Sequence, residues 1–303
     1  MSALAQICKS MSDIKREILE LNSFKEIAQT YQEVAAMRMR KVKASVLRNR
    51  EFLSGLTEVF SRVRVSYDEG LRELLDSNGI KKPEEQQEYI EKMNFEKKNG
   101  RDALVFVSSN TGLYGDIILD VFNYFAKHID AESDIFIMGR LGRILFEQRF
   151  PGHPYKYYEV SDAFPELDKV SQIVRDFNPY EHILVFHGRF KDILEQVPHQ
   201  TSISGEKLSL ENREDLKRIN CIFEPSVEEV FRFFESEIKL TLFDQSLYES
   251  SLSKFTSRMV SLDSAVDNVS DLLKKMSLRS SLASHKKFDK EKNTILASVF
   301  IGR

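Results

Sequence analysis

The chain has 303 residues, 42% apolar and 30% charged, with a formal net charge of -3. Its length fits one or two domains with a core of ordinary size, and its charge gives no global pull toward nucleic acid or anionic membrane. No run approaches the roughly 18 to 20 consecutive apolar residues of a membrane span. The start, MSALAQICKSMSDIKRE, lacks the charged-then-apolar layout of a secretory signal. Cys8 and Cys221 form neither a disulfide framework nor a metal cluster, and read as free thiols in a reducing compartment.

From Ser12 to Ser66 there is one glycine, Gly55, and no proline. Ser12 or Asp13 suits the N-cap of a long helix. Along it runs a seam of Ile18, Leu21, Ala28, Ala35, Met39, Val42, Val46, Leu53, Leu56, Phe60 and Val63, interrupted by Lys25, Gln32 and Asn49. The same helix carries Arg38, Arg40, Lys41, Lys43, Arg48 and Arg50 with no acid among them. That cluster is either a solvated basic face or a docking surface for acidic groups on a partner. Nucleic acid is the weaker option, because no aromatic residue is interleaved there.

Residues 77 to 102 are charged and contain Gly79, Pro83 and Gly100, which reads as a connection with one short helix. Short apolar runs then alternate with helical periods. Strands are expected at Leu104–Val107, Asp134–Met138, Tyr155–Val160 and His182–Phe186, with a last one at Cys221–Glu224. Helices are expected at Ile117–Ile129, Leu141–Phe150 and Leu167–Phe177. This order predicts a mainly parallel sheet covered on both faces.

After Pro225, Ser226-Val227-Glu228-Glu229 reads as a capping box. From Ser226 to Ile301 there is no proline and no glycine, and a helix of roughly 76 residues would be on the order of 110 Å long. Its stripe is Tyr248, Leu252, Phe255, Met259, Leu262, Val266, Val269, Leu273 and Met276, with spacings alternating four and three, the a/d seam of a coiled coil. The expected fold is therefore a long antiparallel coiled coil of N- and C-terminal helices with an inserted three-layer α/β domain. Its expected segments are the helix 1–76, the connection 77–102, the α/β domain 103–224 and the helix 225–303.

No catalytic pattern stands out. The loop Ser108–Asp116 carries Gly112 and Gly115 but matches neither G-x-G-x-x-G nor G-x-x-x-x-G-K-[ST], and Asp116 sets a negative charge where phosphate would sit. A tight strand-to-helix turn is the simpler reading. His128, His153, His182, His187, His199 and His285 show no metal-ligand spacing, and Ser108 and Ser109 lie in no nucleophile elbow.

Several segments resemble the gamma subunit of rotary ATP synthases, in order along the chain. Asp13-Ile14-Lys15 followed by Val34 to Lys41 is similar to that family's opening helix, and Ser108 to Gly115 to its S-S-D-R-G-L-C-G loop. Ile137 to Gly142 resembles its second-strand segment, and Gln196-Val197-Pro198 and Phe223-Glu224-Pro225 match short marks near the end of its α/β domain. The most specific match is Ser257 to Asn268 against A-R-M-x-A-M-x-x-A-T-D-N. The departures are Gln29 to Ala35 in place of K-A-M-x-M-V-A, Asn110-Thr111 in place of an acidic-basic pair, and Asp116 in place of a glycine. The family's R-Q-x-x-I-T is absent, with either Lys292-Asn293 or Ser284-His285 standing at that place.

The resemblance implies a non-catalytic central rotor shaft that couples ion-driven rotation to conformational change in partner subunits. It implies no cofactor, metal or catalytic residue in this chain. The implied partners are the alpha and beta subunits, an epsilon-type subunit and the membrane c-ring. The implied place is peripheral, on the cytoplasmic face of a cell membrane or on an organelle inner membrane. Arg38, Arg40, Lys41, Lys43, Arg258, Asp267 and Asn268 are the implied coupling contacts. The competing readings are a non-rotating adaptor or a component of an ATPase-derived motor. A nucleotide-dependent enzyme built on the α/β module rests on fold analogy alone.

Overall fold

In the computed structural model the described residues are 2–77, 98–130, 132–203, 224 and 227–301, with side chains described over most of these ranges. The connection at 78–97, the Cys221–Glu224 strand except Glu224, the start of the capping box at Ser226 and both cysteine side chains lie outside them. The elements in chain order are α1 (Ser2–Ser77), β1 (Asp102–Val107), α2 (Ile117–Ala126), β2 (Ser133–Met138) and α3 (Arg140–Arg149). They continue with β3 (Lys156–Tyr158), α4 (Leu167–Asp176), β4 (His182–Phe190), β5 (Gln196–Ser202) and α5 (Val227–Ile301).

One expectation is corrected. Neither Ser12 nor Asp13 caps α1, which begins ten residues earlier at Ser2. Ala3, Leu4, Ala5 and Gln6 favour helix and nothing between Ser2 and Ser12 breaks it. In addition, β5 was not foreseen. Its sequence, QVPHQTS, is polar, carries Pro198, and is half-buried throughout, as suits an edge strand.

The strand order is β3-β2-β1-β4-β5. The β1–β2, β1–β4 and β2–β3 pairs are parallel, whereas β5 runs antiparallel to β4 with Pro198 opposite Gly188. Alternate strand residues separate onto two faces, each apolar, as parallel strands covered on both sides require. On one face Leu104, Phe106, Ile135, Ile137 and Phe186 pack with Ile117, Val121, Phe122 and Phe125 of α2 and Phe146 of α3. Val42 and Val46 of α1 and Leu252 and Phe255 of α5 close this same cluster. On the other face Val105, Phe136, Met138 and Val185 pack with Val170, Ile173 and Val174 of α4 and with Phe243 and Leu247 of α5. Helix α5 thus contributes to both layers.

The chain forms two compact units: residues 38–257, which hold the sheet, and Met1–Met37 with Arg258–Arg303. In the first, α1 and α5 are antiparallel. Arg38 lies over Phe255, Arg50 pairs with Glu249, and Phe60 packs against Phe234. In the second, the buried apolar positions are Ala28 and Ala35 on α1 and Val266, Val269 and Met276 on α5. Ile18, Leu21, Lys25, Gln32, Met259, Leu262 and Leu273 are half-buried there. Two of the polar seam residues, Gln32 and Asn49, find partners across the helix pair. Gln32 donates to the Asp263 carboxylate at 2.7 Å, and Asn49 to Asp244 at 3.5 Å.

Candidate functional site

In a doubly wound sheet, ligands bind beyond the carboxyl ends of the strands where the strand order reverses. Here the reversal lies between β1 and β4, whose pairing ends at Phe106 and Phe186, and the residues just past that pairing are Ser108 after β1 and Gly188 within β4. Both are covered by α5. The Lys254 ammonium, 4% exposed, donates to the Ser108 carbonyl at 2.9 Å. At Gly188 an added Cβ would stand 2.7 Å from the Ser253 hydroxyl oxygen. Ser257 donates to the Tyr114 carbonyl at 2.7 Å. The position where this architecture usually takes a nucleotide is filled by the protein's own helix.

The Ser108–Asp116 loop also holds an anion, and the anion is internal. Backbone N–H groups of Asn110 and Thr111 donate to the Asp162 carboxylate at 2.9 and 3.2 Å. The hydroxyls of Thr111 and Tyr114 donate to it at 3.1 and 3.2 Å, and Lys254 stands 3.7 Å away. Asn110 ties the loop outward, donating to the Val160 carbonyl and accepting from the Arg140 N–H. Leu113, at φ 65, is the one non-glycine residue with positive φ among those described. The loop is a preorganised anion nest whose occupant is supplied in cis.

A second buried network joins β4, β5, α1 and α5. His187 is fully buried, its Nδ1 donating to the Gly188 carbonyl at 3.2 Å, which leaves Nε2 to accept from the Thr201 hydroxyl at 2.9 Å. Burial pushes the imidazole down to about 4, against the pull of Glu249. For Glu249 itself burial raises the carboxyl, but hydrogen bonds from Arg50 at 2.7 Å and Gln245 at 3.2 Å, with His187 nearby, hold it below its ordinary value. Burial alone raises Asp244 to about 6.

The imidazole gives this network a pH signature. Between pH 6.5 and about 4 the unfolded chain binds a proton at His187 that the folded chain refuses, so stability is complete above 6.5 and falls as pH drops. Asp244 works in the opposite direction over an overlapping window, so the informative comparison is between two chains that share it. His187→Gln should retain about 2–3 kcal/mol more of its stability than the parent does on going from pH 7 to pH 4.5. Urea titrations of both chains at the two pH values measure this. Equal losses in the two would show that the imidazole is not the acid-sensitive group.

The basic residues of α1 do not form one free surface. Lys41 sits 4.7 Å from the Phe164 ring centre and Arg38 5.7 Å from that of Phe255. Arg50 is paired with Glu249, and Arg48 donates to Ser45. Arg40 and Lys43 are exposed, as are Asp267 and Asn268 on α5, whereas Arg258 is buried. Large apolar residues off the seam face solvent on both helices: Leu19, Phe24, Ile27 and Tyr31 on α1, and Leu278, Leu282, Phe288 and Ile295 on α5. Among the described residues no cluster of histidine, cysteine and carboxylate could hold a metal, and no helix is long and apolar enough to cross a membrane.

Comparison with known proteins identifies the family. A family model described as ATP synthase matches residues 10–291. The chain belongs to the ATP synthase gamma-chain family. It is 23% identical over 295 residues to the ATP synthase gamma chain of Pelotomaculum thermopropionicum, covering 95% of this chain and 97% of that one. Its fold is similar to a chain of the Euglena gracilis mitochondrial ATP synthase in rotational state 3, with a TM-score of 0.64 at 13% identity, covering 97% of this chain and 94% of that one. A chain of that enzyme's rotor in rotational state 1 superimposes with a TM-score of 0.57 at 14% identity, covering 95% and 99%.

As a gamma chain, the protein is a non-catalytic subunit of a membrane-associated ATP synthase. The residues that matter most to this gamma chain's architecture were not all visible beforehand. Asp162 and Lys254 were not singled out. The available signal was the run Glu249-Ser250-Ser251-Leu252-Ser253-Lys254-Phe255-Thr256-Ser257, in which small hydroxyl side chains crowd a helix that elsewhere carries long charged ones. Small residues on consecutive faces of a helix permit close approach all round it.

Proposed function

We propose that this gamma chain is the central rotor shaft of its ATP synthase, turning within a ring of alpha and beta subunits and standing on an epsilon-type subunit and a membrane c-ring. Residues 1–76 and 225–303 form the shaft, 103–224 the foot, and 77–102 the connection between them. Its place is the peripheral, cytoplasmic face of a cell membrane or the corresponding face of an organelle inner membrane. The observation that carries this reading is the apolar surface left outside the seam, from Leu19 to Tyr31 and from Leu278 to Ile295. A coil that stood alone in water would carry polar residues there, and large apolar side chains repeated along the outer faces of both helices suit contact with a partner. Arg40, Lys43, Asp267 and Asn268 are the exposed charged and polar residues proposed to meet the ring, and Arg38, Lys41 and the buried Arg258 to set the helix surface beside them. An asymmetric rod presents different faces to equivalent sites in turn, and the differential contact couples its orientation to their affinity. The nucleotide-enzyme reading loses its main support, because the crevice it needs is occupied by Lys254 and Ser253.

The test is co-expression with cognate alpha and beta subunits, followed by a rotation assay with a bead fixed to the α/β domain. One copy per ring and ATP-driven rotation are expected. A stable complex without rotation would favour the adaptor reading, and no retention by any ring would sink both. Val266→Asp provides a sharper arm. Val266 is 9% exposed in the seam, and an unpaired carboxylate there should cost about 2–4 kcal/mol and abolish retention.

A further inference from the structure

Every residue of α5 from Glu249 to Ser257 is buried, so all faces of the helix are covered for about two and a half turns. From Ser261 onward burial returns to a single seam, so this stretch is a collar. Part of what surrounds α5 here is apolar: Leu252 and Phe255 lie in one core cluster with Phe106, Tyr114, Ile117 and Phe186. Apolar contact is not directional, and a helix that turns inside an apolar sleeve exchanges one contact for another. Two buried charges in the collar behave differently: Glu249, which is held by Arg50 of α1, and Lys254, which faces the α/β loop. The Lys254 ammonium is bonded to the Ser108 carbonyl and stands beside Asp162, whose side chain is 12% exposed and is held by two backbone N–H groups and two hydroxyls. Its geometry is fixed, and moving Lys254 off it strands a buried charge on each side.

We infer that Lys254 and Asp162 form a torsional lock through which the α/β domain grips α5, so that turning force passes between foot and shaft at this collar. The inference rests on the rotor reading and assigns the force path to two positioning residues. The amides of Asn110 and Thr111 hold Asp162 as a fixed post, and Lys254 is the pin that engages it. Ser257, bonded to the Tyr114 carbonyl one turn on, keeps the loop seated against the helix but carries no charge.

The experiment uses the assembled complex with its ring and membrane subunits and compares the parent chain with Lys254→Met/Asp162→Leu and with Asp162→Asn. Replacing both partners with apolar groups of similar size removes the lock without stranding a charge, so the double variant is expected to assemble and to hydrolyse ATP. The readouts are the angular variance of a bead on the α/β domain with the ring held still, and the ions moved per ATP. The double variant should show about a twofold or larger rise in variance with fewer ions moved per ATP, and Asp162→Asn a smaller rise. Parent-like variance and stoichiometry in both variants would overturn the lock while leaving the rotor reading intact. Loss of assembly in both variants would also overturn it, since the lock acts on torsion and not on retention. If the parent complex itself does not turn, the rotor reading fails and this inference fails with it.

Discussion

Phe255→Ala should destabilise the 38–257 unit by about 3–5 kcal/mol, the largest loss expected from any single seam truncation. The ring is fully buried and faces three kinds of neighbour at once. It packs in the cluster with Phe106 and Phe186 of the sheet and meets Tyr114 of the loop edge-on at 6.0 Å. It also carries the Arg38 guanidinium above it at 5.7 Å. A cavity there has sheet, loop and both helices as its walls, and none collapses without moving another. Urea denaturation followed by near-ultraviolet circular dichroism measures the shift in midpoint. Leu272→Ala is the control, because that side chain is 47% exposed and its loss should cost less than about 0.5 kcal/mol. Comparable costs for the two would mean that the α/β domain does not depend on α5 for its core.

Gly139→Val is the second large effect, about 3 kcal/mol or more, and it acts on the backbone instead of the core. Gly139 joins β2 to α3 at φ 91, a conformation that residues with a Cβ rarely adopt. An added Cβ would fall 2.8 Å from the Ser109 nitrogen and carbonyl carbon, so no rotamer relieves the contact. The chain must pull α3 away from the loop, breaking the Leu141 N–H to Ser109 carbonyl bond and displacing the residues that hold Asp162. Gly55→Ala makes the contrast. Nothing lies within 4 Å of a Cβ built there, and removing a glycine from a helix interior should stabilise by about 0.5–1 kcal/mol. Thermal melts of the three chains rank them, and a harmless Gly139→Val would mean that the turn is not under the close approach described.

The coil was legible in the sequence because burial in a helix pair follows a strict period. The stripe positions from Leu252 to Met276 are buried or half-buried, while their neighbours beyond Ser261 are mostly exposed. Even the interruptions were readable, since Gln32 and Asn49 sit in the seam and pair across it. The three central strands β1, β2 and β4 were legible because residues covered on both faces form continuous apolar runs. What sequence could not reveal depends on who covers whom. Lysine in a helix reads as solvated, and Lys254 is buried only because a loop and an aspartate far away in the chain close over it. Asp162 lies in a stretch with no periodicity, and its importance comes entirely from the amides that point at it. The edge strand β5 was hidden because one face of it needs no apolar residues and its proline lost nothing by forgoing a bond.

The aspartate in the nest has a chemical consequence for the place where the protein works. An ATP synthase is surrounded by phosphate, ADP and ATP, all anions that seek clustered backbone N–H groups beside a lysine. In this chain that seat is taken by a carboxylate tethered to the same polypeptide, whose effective concentration far exceeds that of any free solute. A free phosphate or nucleotide would have to displace Asp162 before it could reach these amides.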